Sequence, residues 1–217
     1  MLVRFVASLL ALTAVIGLPF GIPDQAGTAT ALAQPGNAQA PVSFAYHFPV
    51  QPASVTSYGP YHHDYPATDI FCPVGSRFVA PIGGIVDYVT TVDRWDPKVD
   101  GPATRGGLSV AIIGDDGVRY YGAHLSAIAA GIEVGSVVEA GQLLGLTGKT
   151  GDARFVSPHL HFGISHPTTP DDWAARRGEV SPYKYLQAWQ AGKSLAPQVP
   201  GVVPQRRPYC VPTVHMA

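Results

Sequence analysis

The sequence predicts a mostly β protein whose strands pair antiparallel, with one short helix near the C-terminal end. Its 217 residues include 24 glycines and 21 prolines, which favours short strands joined by many turns over a helical bundle. Five segments rich in valine, isoleucine and tyrosine have the composition and the boundaries typical of strands. They are Thr68–Phe71, Gly84–Val92, Leu108–Gly114, Val118–Ala123 and His161–Ser165. A serine and a proline open the helix predicted over Ser181–Gln190.

Net charge and composition argue against two broad classes of protein. The chain has 14 basic and 15 acidic side chains, so its formal net charge is −1. Because there is no basic field to attract phosphates, we expect no binding to nucleic acid. Apolar residues make up 46% of the chain and aromatic residues 10%, which argues against a disordered protein.

The beginning of the chain has the layout of an export signal. Arg4 precedes the apolar run Phe5–Leu18, and Ala31–Ala33 offers the small residues of a cleavage site. The apolar run is shorter than the roughly 20 residues that span a bilayer, although a retained anchor is the alternative. We therefore expect a protein that is secreted or held in the cell envelope, outside the cytoplasm.

The sequence divides into four predicted parts. They are a signal peptide (1–33), a linker (34–41), the main domain (42–191) and a proline-rich tail (192–217). Outside the cytoplasm, Cys72 and Cys210 can form one disulfide, which would tie the tail to the main domain. Two unrelated thiols are the alternative.

Two histidines lie at the start of the last predicted strand and two residues before it. Successive side chains of a strand point to opposite faces, so His159 and His161 share one face while Leu160 and Phe162 point into the core. Two imidazoles fixed side by side can divide the work, one binding a metal and the other acting on what the metal binds. The alternative is a half-exposed strand with two incidental polar residues.

Three further histidines extend this set. His62 and His63 precede Asp69 at the start of one strand, and His124 follows another. Imidazole and carboxylate both bind Zn²⁺, and three such ligands leave one position of a tetrahedral ion open for water. Zinc lowers the pKa of that water from about 15.7 to about 7. Besides the second histidine of the His62–His63 pair, two histidines then remain for proton transfer or oxyanion stabilisation, a combination that indicates metal-assisted amide hydrolysis.

Around these residues the chain resembles the LytM/lysostaphin-type zinc metallopeptidases, which cut peptide bonds in bacterial cell walls. The resemblance extends over 57–186, and its most specific part combines Gly141–Gly145 with Pro158–Phe162. Tyr121–Ser126 is similar to the Tyr-x-His-Leu-Ser segment of the family with one additional residue. The resemblance implies an antiparallel β-sheet groove walled by loops, and one Zn²⁺ per chain.

The same resemblance implies the metal ligands. Asp69 and His161 match two ligand positions of the family. The third ligand is the histidine upstream of the aspartate, but the spacing here is longer than in the family. We favour His63 because it needs the smaller bulge, while His62 stays open.

The resemblance also implies catalytic residues. His124 and His159 match the catalytic pair, and which of them is the base stays open. Tyr61 lies in a segment similar to one that places a tyrosine beside the substrate oxyanion, so it is a further catalytic candidate.

The implied function is a secreted zinc metalloendopeptidase that hydrolyses peptide bonds in peptidoglycan stem peptides or cross-links. Both a D-Ala–diaminopimelate cross-link and a Gly–Gly bridge stay open as the bond cut. A non-catalytic LytM-like domain that binds the cell wall or regulates a hydrolase is the main alternative, and a biotinyl, lipoyl or phosphotransfer carrier domain is another. We expect a monomer that binds a peptidoglycan peptide and, after signal cleavage, no membrane.

Overall fold

A computed structural model describes residues 43–203 of the chain. The predicted signal peptide, the linker and Cys210 lie outside these residues, so export and the cysteine pairing stay predictions. Cys72 is buried. The packed body continues past residue 191, because Val199 is buried in the core and the Trp189 indole donates to the Leu195 carbonyl.

Nine strands form within the described part of the chain. They are β1 (Val50–Gln51), β2 (Thr68–Phe71), β3 (Arg77–Val79), β4 (Gly84–Thr90), β5 (Leu108–Gly114), β6 (Arg119–Ile128), β7 (Val137–Val138), β8 (Leu143–Thr147) and β9 (His159–Ser165). The helices are α1 (Trp173–Arg176) and α2 (Tyr183–Gln190), with 3₁₀ turns at Ala53–Val55, Pro102–Thr104 and Gly151–Phe155. Every strand pairing is antiparallel, so the predicted fold class is confirmed.

The five predicted strands are all present, and β2 and β5 match their predicted bounds. The other four strands, β1, β3, β7 and β8, are not predicted from the sequence. Three of these have only two or three residues, which carry no periodicity. The expectation of one short helix is corrected to two. The additional helix, α1, is a single turn that begins where the Asp172 side chain accepts a hydrogen bond from the Ala175 amide.

The strands follow the order β1-β3-β8-β6-β5-β4-β7, and the long strand β6 also pairs with β9, which pairs with β2. The first half of β6 runs beside β9 and its second half beside β8. The sheet therefore divides at the middle of β6, which opens space between β9 and the loops around it.

A single large core supports this division of the sheet. Phe78, Tyr120 and Phe162 are fully buried within it. Helix α2 covers the core with Trp189, whose ring contacts Tyr120 edge-on at 6.1 Å between centroids. Within residues 43–203 there is no helix of the length and hydrophobicity needed to cross a bilayer.

Candidate active site

Strand β9 carries the centre of the site because it lies between two strands that bring further polar side chains. The antiparallel register places Asp69 of β2 opposite His161, which also lies opposite Ala123 of β6. His159 and His161 both line one groove, while Leu160 between them is fully buried. The alternation of faces predicted from the sequence is therefore present on this strand.

Both ring nitrogens of His161 have partners. Nδ1 lies 3.0 Å from Oδ1 of Asp69, and Nε2 lies 2.9 Å from the backbone carbonyl of Arg177. Since a carbonyl only accepts hydrogen bonds, Nε2 carries a proton and donates it. Gly163 allows this approach, because a Cβ there would lie 2.4 Å from the Arg177 carbonyl oxygen. The residue after α1 and strand β9 thus meet backbone to backbone beneath the site.

The ligand atoms around Asp69 are arranged to fit a bound cation. With its proton on Nε2, the neutral ring of His161 turns an acceptor toward the carboxylate, and two acceptors 3.0 Å apart repel unless a proton or a cation lies between them. His62 Nε2 lies 3.6 Å from the same oxygen, and the ligand atoms of the three residues all lie within 4.8 Å of one another. Two ligands of one tetrahedral zinc lie roughly 3–4 Å apart, so a small contraction would let the set hold the ion.

His63 lies outside this set, which corrects the ligand favoured by the spacing argument. Its ring packs edge-on against His62 at 4.8 Å between centroids, whereas the His62 ring lies 4.9 Å from that of His161. Among the residues that the structure describes, the group able to hold a metal ion is His62, Asp69 and His161. Residues 58–67 form no helix or strand, so the chain reaches the site without the bulge on which the choice rested.

Burial and neighbouring charges set the protonation of these side chains. Burial raises the pKa of Asp69, but the neighbouring imidazoles of His161, His159 and His62 favour the ionised carboxylate and hold that pKa well below its usual range. Burial, helped by His161, lowers the pKa of His62 from 6.5 to about 4. At neutral pH the carboxyl group is ionised and His62 is neutral, the states that metal binding requires.

His124 lies where β6 changes partners. Ala123 pairs with β9 and Leu125 pairs with β8, and His124 between them has a φ of 63°. The register between β5 and β6 shifts at the same place, so β6 carries one extra residue there. This bulge takes up the additional residue noted in Tyr121–Ser126, and it turns the His124 side chain into the groove.

His124 and His159 are neighbours with matching hydrogen bonds. Nδ1 of His124 donates to the Thr150 carbonyl at 2.9 Å, and Nδ1 of His159 donates to the Ser157 carbonyl at 2.8 Å. In the neutral rings Nε2 is therefore the acceptor. Burial, with the neighbouring imidazoles of His161 and His159, lowers the pKa of His124 to about 3, which keeps this ring neutral.

Tyr61 does not reach this cluster, which corrects the expectation that it lies beside the reacting groups. Its side chain is 92% exposed and is not part of the groove lining. Tyr65, which the sequence reasoning missed, lines the groove with its ring 4.4 Å from His62 and 5.8 Å from His161. Nothing in the irregular segment around it distinguishes one tyrosine from the other.

The groove has a volume of about 730 Å³ and borders on two segments outside the sheet. The loop before β5 contributes Ala103 and Arg105, and its Gly106 carbonyl accepts from the His124 amide at 2.9 Å. Helix α1 and the residue after it contribute Trp173 and Arg177. These two segments therefore form walls of the groove that contains the histidines.

A His/Asp cluster in an open groove of an antiparallel β-sheet fits a hydrolytic domain. The model of peptidase family M23 matches residues 63–173, about half of the chain. The chain belongs to peptidase family M23, which confirms the resemblance identified from the sequence. The match contains Asp69, His124, His159 and His161 and begins one residue after His62.

One curated relative is the L-Ala–D-Glu endopeptidase of Bacillus subtilis strain 168. It is 30% identical over 128 residues, which cover 57% of this chain and 34% of the relative. The chain therefore spans about a third of the length of that relative.

Solved structures give similar matches. LytM from Ruminococcus gnavus ATCC 29149 superposes with a TM-score of 0.52 at 23% identity, over 69% of this chain and 62% of that one. The catalytic domain of lysostaphin from Staphylococcus simulans has a TM-score of 0.45 at 26% identity, over 60% of this chain and 88% of that one. The first of these likenesses supports the fold.

Proposed function

We propose that the protein is a zinc-dependent endopeptidase that hydrolyses peptide bonds in peptidoglycan outside the cytoplasm. The observation that carries this proposal is the convergence of His62, Asp69 and His161 beside two further histidines in one open groove. Membership in a peptidase family and the relative named L-Ala–D-Glu endopeptidase support the reaction and the substrate.

His62, Asp69 and His161 would hold the metal. The contact between His161 Nε2 and the Arg177 carbonyl fixes the tautomer that turns Nδ1 toward Asp69. Zinc bound there would supply a Lewis acid that polarises the scissile carbonyl and acidifies water. Among the described residues, the cluster faces the open groove, and a peptide can approach it from that side.

His124 and His159 would move the protons. Each offers the lone pair of Nε2, so either can accept a proton from the attacking water. The imidazolium formed in that step can donate the proton to the leaving amine, while its charge stabilises the oxyanion. His124 Nε2 lies 3.9 Å from Asp152 and His159 Nε2 lies 3.8 Å from Asp69, so a carboxylate is near each ring to stabilise that charge.

The proposal is tested by digesting purified peptidoglycan with the full chain and weighing the fragments by mass spectrometry. We expect peptide cuts with the sugar chains intact, loss of cutting after chelation, and recovery with zinc. The variant His161→Ala should not cut. His166→Ala is the matched control, because this exposed histidine pairs with Glu179 outside the groove. Wall binding without any cut would identify a non-catalytic module instead.

A further inference from the structure

The groove lining carries three arginines, and only one of them has its guanidinium free of protein acceptors. Arg105 forms an ion pair with Asp100 at 2.6 Å. Arg176 is buried and donates to the Pro170 carbonyl. For Arg177, no residue in the described range 43–203 forms an ion pair or accepts a hydrogen bond from the side chain, and its buried Nε lacks a partner. The positive charge of Arg177 is therefore not neutralised within the fold.

Two aromatic rings hold this guanidinium in place. Its central carbon lies 3.8 Å from the centroid of the Tyr65 ring and 5.1 Å from that of Trp173. Stacking on an aromatic face leaves the edge of a guanidinium available for hydrogen bonds. Arg177 is thus preorganised to donate in one plane, as bidentate recognition of a carboxylate requires.

The position of Arg177 relates it to the reacting groups. Tyr65, on which it stacks, is also in ring contact with His62 and His161. The Arg177 backbone carbonyl accepts from His161 at 2.9 Å, so the residue is anchored to the site independently of its side chain. A group bound by the guanidinium would lie only one aromatic ring away from the candidate metal ligands.

We propose that Arg177 binds a carboxylate of the substrate, next to the bond that is cut. This inference rests on the proposed function and narrows the substrate class to acidic stem peptides, whose D-Glu and diaminopimelate residues carry free carboxylates. A glycine bridge offers no side-chain carboxylate to this position. Arg177 lies beyond residues 63–173, the part that matches the family model. It can therefore give this chain a substrate specificity that differs from that of other family members.

The test compares two synthetic stem-peptide dimers that differ only in their free carboxylates, which are amidated in the second. We expect the wild-type chain, supplied with zinc, to cleave the charged dimer with at least 10-fold higher kcat/KM. Arg177→Gln should lower kcat/KM on the charged dimer by roughly 10- to 100-fold and change it less than about 2-fold on the amidated one. Arg177→Lys keeps the charge but not the forked guanidinium. Its kcat/KM on the charged dimer should lie between those of the wild type and Arg177→Gln.

Lys184→Gln is the control, since it removes the same charge from an exposed position on α2 outside the groove lining. It should leave both rates unchanged. Equal cleavage of the two dimers by the wild type, or an equal loss on both with Arg177→Gln, would overturn the proposal. An equal loss would mean that the side chain only supports Tyr65 and the ligands behind it.

A binding measurement separates this inference from the proposed function. If the wild type cleaves neither dimer, the proposed function fails, and fluorescence anisotropy of the labelled dimers with the full chain decides the inference. Binding that favours the charged dimer at least 10-fold, and that loses this preference in Arg177→Gln, supports a carboxylate site. Binding without preference, or no binding at 1 mM, overturns it.

Discussion

The rings of His124 and His159 lie 4.8 Å apart between centroids, and each donates Nδ1–H to a backbone carbonyl. The two side chains come from different strands, and the carbonyls of Thr150 and Ser157 come from the segment between β8 and β9. One short stretch of backbone therefore fixes the tautomers of both candidate proton carriers. In the neutral rings, the Nε2 lone pairs of both side chains are left available to accept a proton.

Replacing either imidazole should remove proton transfer while the metal stays bound. We expect His124→Asn and His159→Ala each to lower kcat on peptidoglycan by about 10²–10⁴-fold with near-normal zinc content. Asparagine is chosen for position 124 because it tolerates the positive φ there. Steady-state rates and elemental analysis of the same samples check both statements, and loss of zinc in either variant would reassign that histidine as a ligand.

Substitutions of the two adjacent histidines before β2 should have different effects on zinc binding. His62→Ala removes one of three ligand atoms that lie within 4.8 Å of one another, so we expect loss of zinc and of activity. His63→Ala removes only a ring that packs against His62, so zinc content should stay near one per chain. Elemental analysis after dialysis against a weak chelator distinguishes them, and the reverse outcome would restore the ligand favoured by spacing.

How much of this site follows from sequence depends on whether a residue lies in a regular element. The period of two along β9 predicts that His159 and His161 share a face, and the structure has them there. His62 and His63 lie in a segment without regular structure, where counting residues to Asp69 does not determine which ring turns inward.

The same reasoning applies to the fold. Strands β2 and β5 are apolar runs flanked by turn-forming residues, and these residues determine where each strand begins and ends. The second half of β6 includes exposed Ser126 and pairs with β8, a long-range contact that no local pattern reveals. The position of Arg177 likewise depends on the backbone contact with β9 rather than on its neighbours in sequence.

The metal-free protein should lose stability in mild acid. The pKa of His124 falls from 6.5 to about 3 and that of His62 to about 4 in the folded chain, chiefly through burial. Below pH 6.5 the unfolded chain therefore binds protons that the folded chain excludes, and the free energy of unfolding falls as the pH drops from 6.5 toward 3. At pH 5 the contribution of His124 is about 2 kcal/mol.

Urea unfolding in the presence of a chelator, at about pH 7.5 and pH 5, measures this loss. In His124→Asn the free energy of unfolding should differ between the two pH values by about 1–2 kcal/mol less than in the wild type. His166→Asn, at an exposed position outside the groove, should keep the wild-type difference. An unchanged difference in His124→Asn would show that His124 is not the buried neutral group inferred from its surroundings.

A single glycine should control how the segment around His62 meets the end of α1. Gly178 has a φ of 142°, and a Cβ there would lie 2.1 Å from the Pro66 carbonyl oxygen. Gly178→Ala must therefore push apart two backbones that carry Arg177 on one side and the His62 segment on the other. We expect a loss of about 1–3 kcal/mol in the free energy of unfolding and weaker zinc binding, measured by urea unfolding and chelator competition.

Gly192→Ala separates the steric clash from backbone strain. Gly192 also has a positive φ, of 71°, but a Cβ there would meet nothing within 4 Å. This variant should lose about 1 kcal/mol of stability and bind zinc normally, because the strain arises at the end of α2, away from the groove. If both glycine variants bind zinc as the wild type does, the approach of Gly178 to Pro66 does not hold His62 in position.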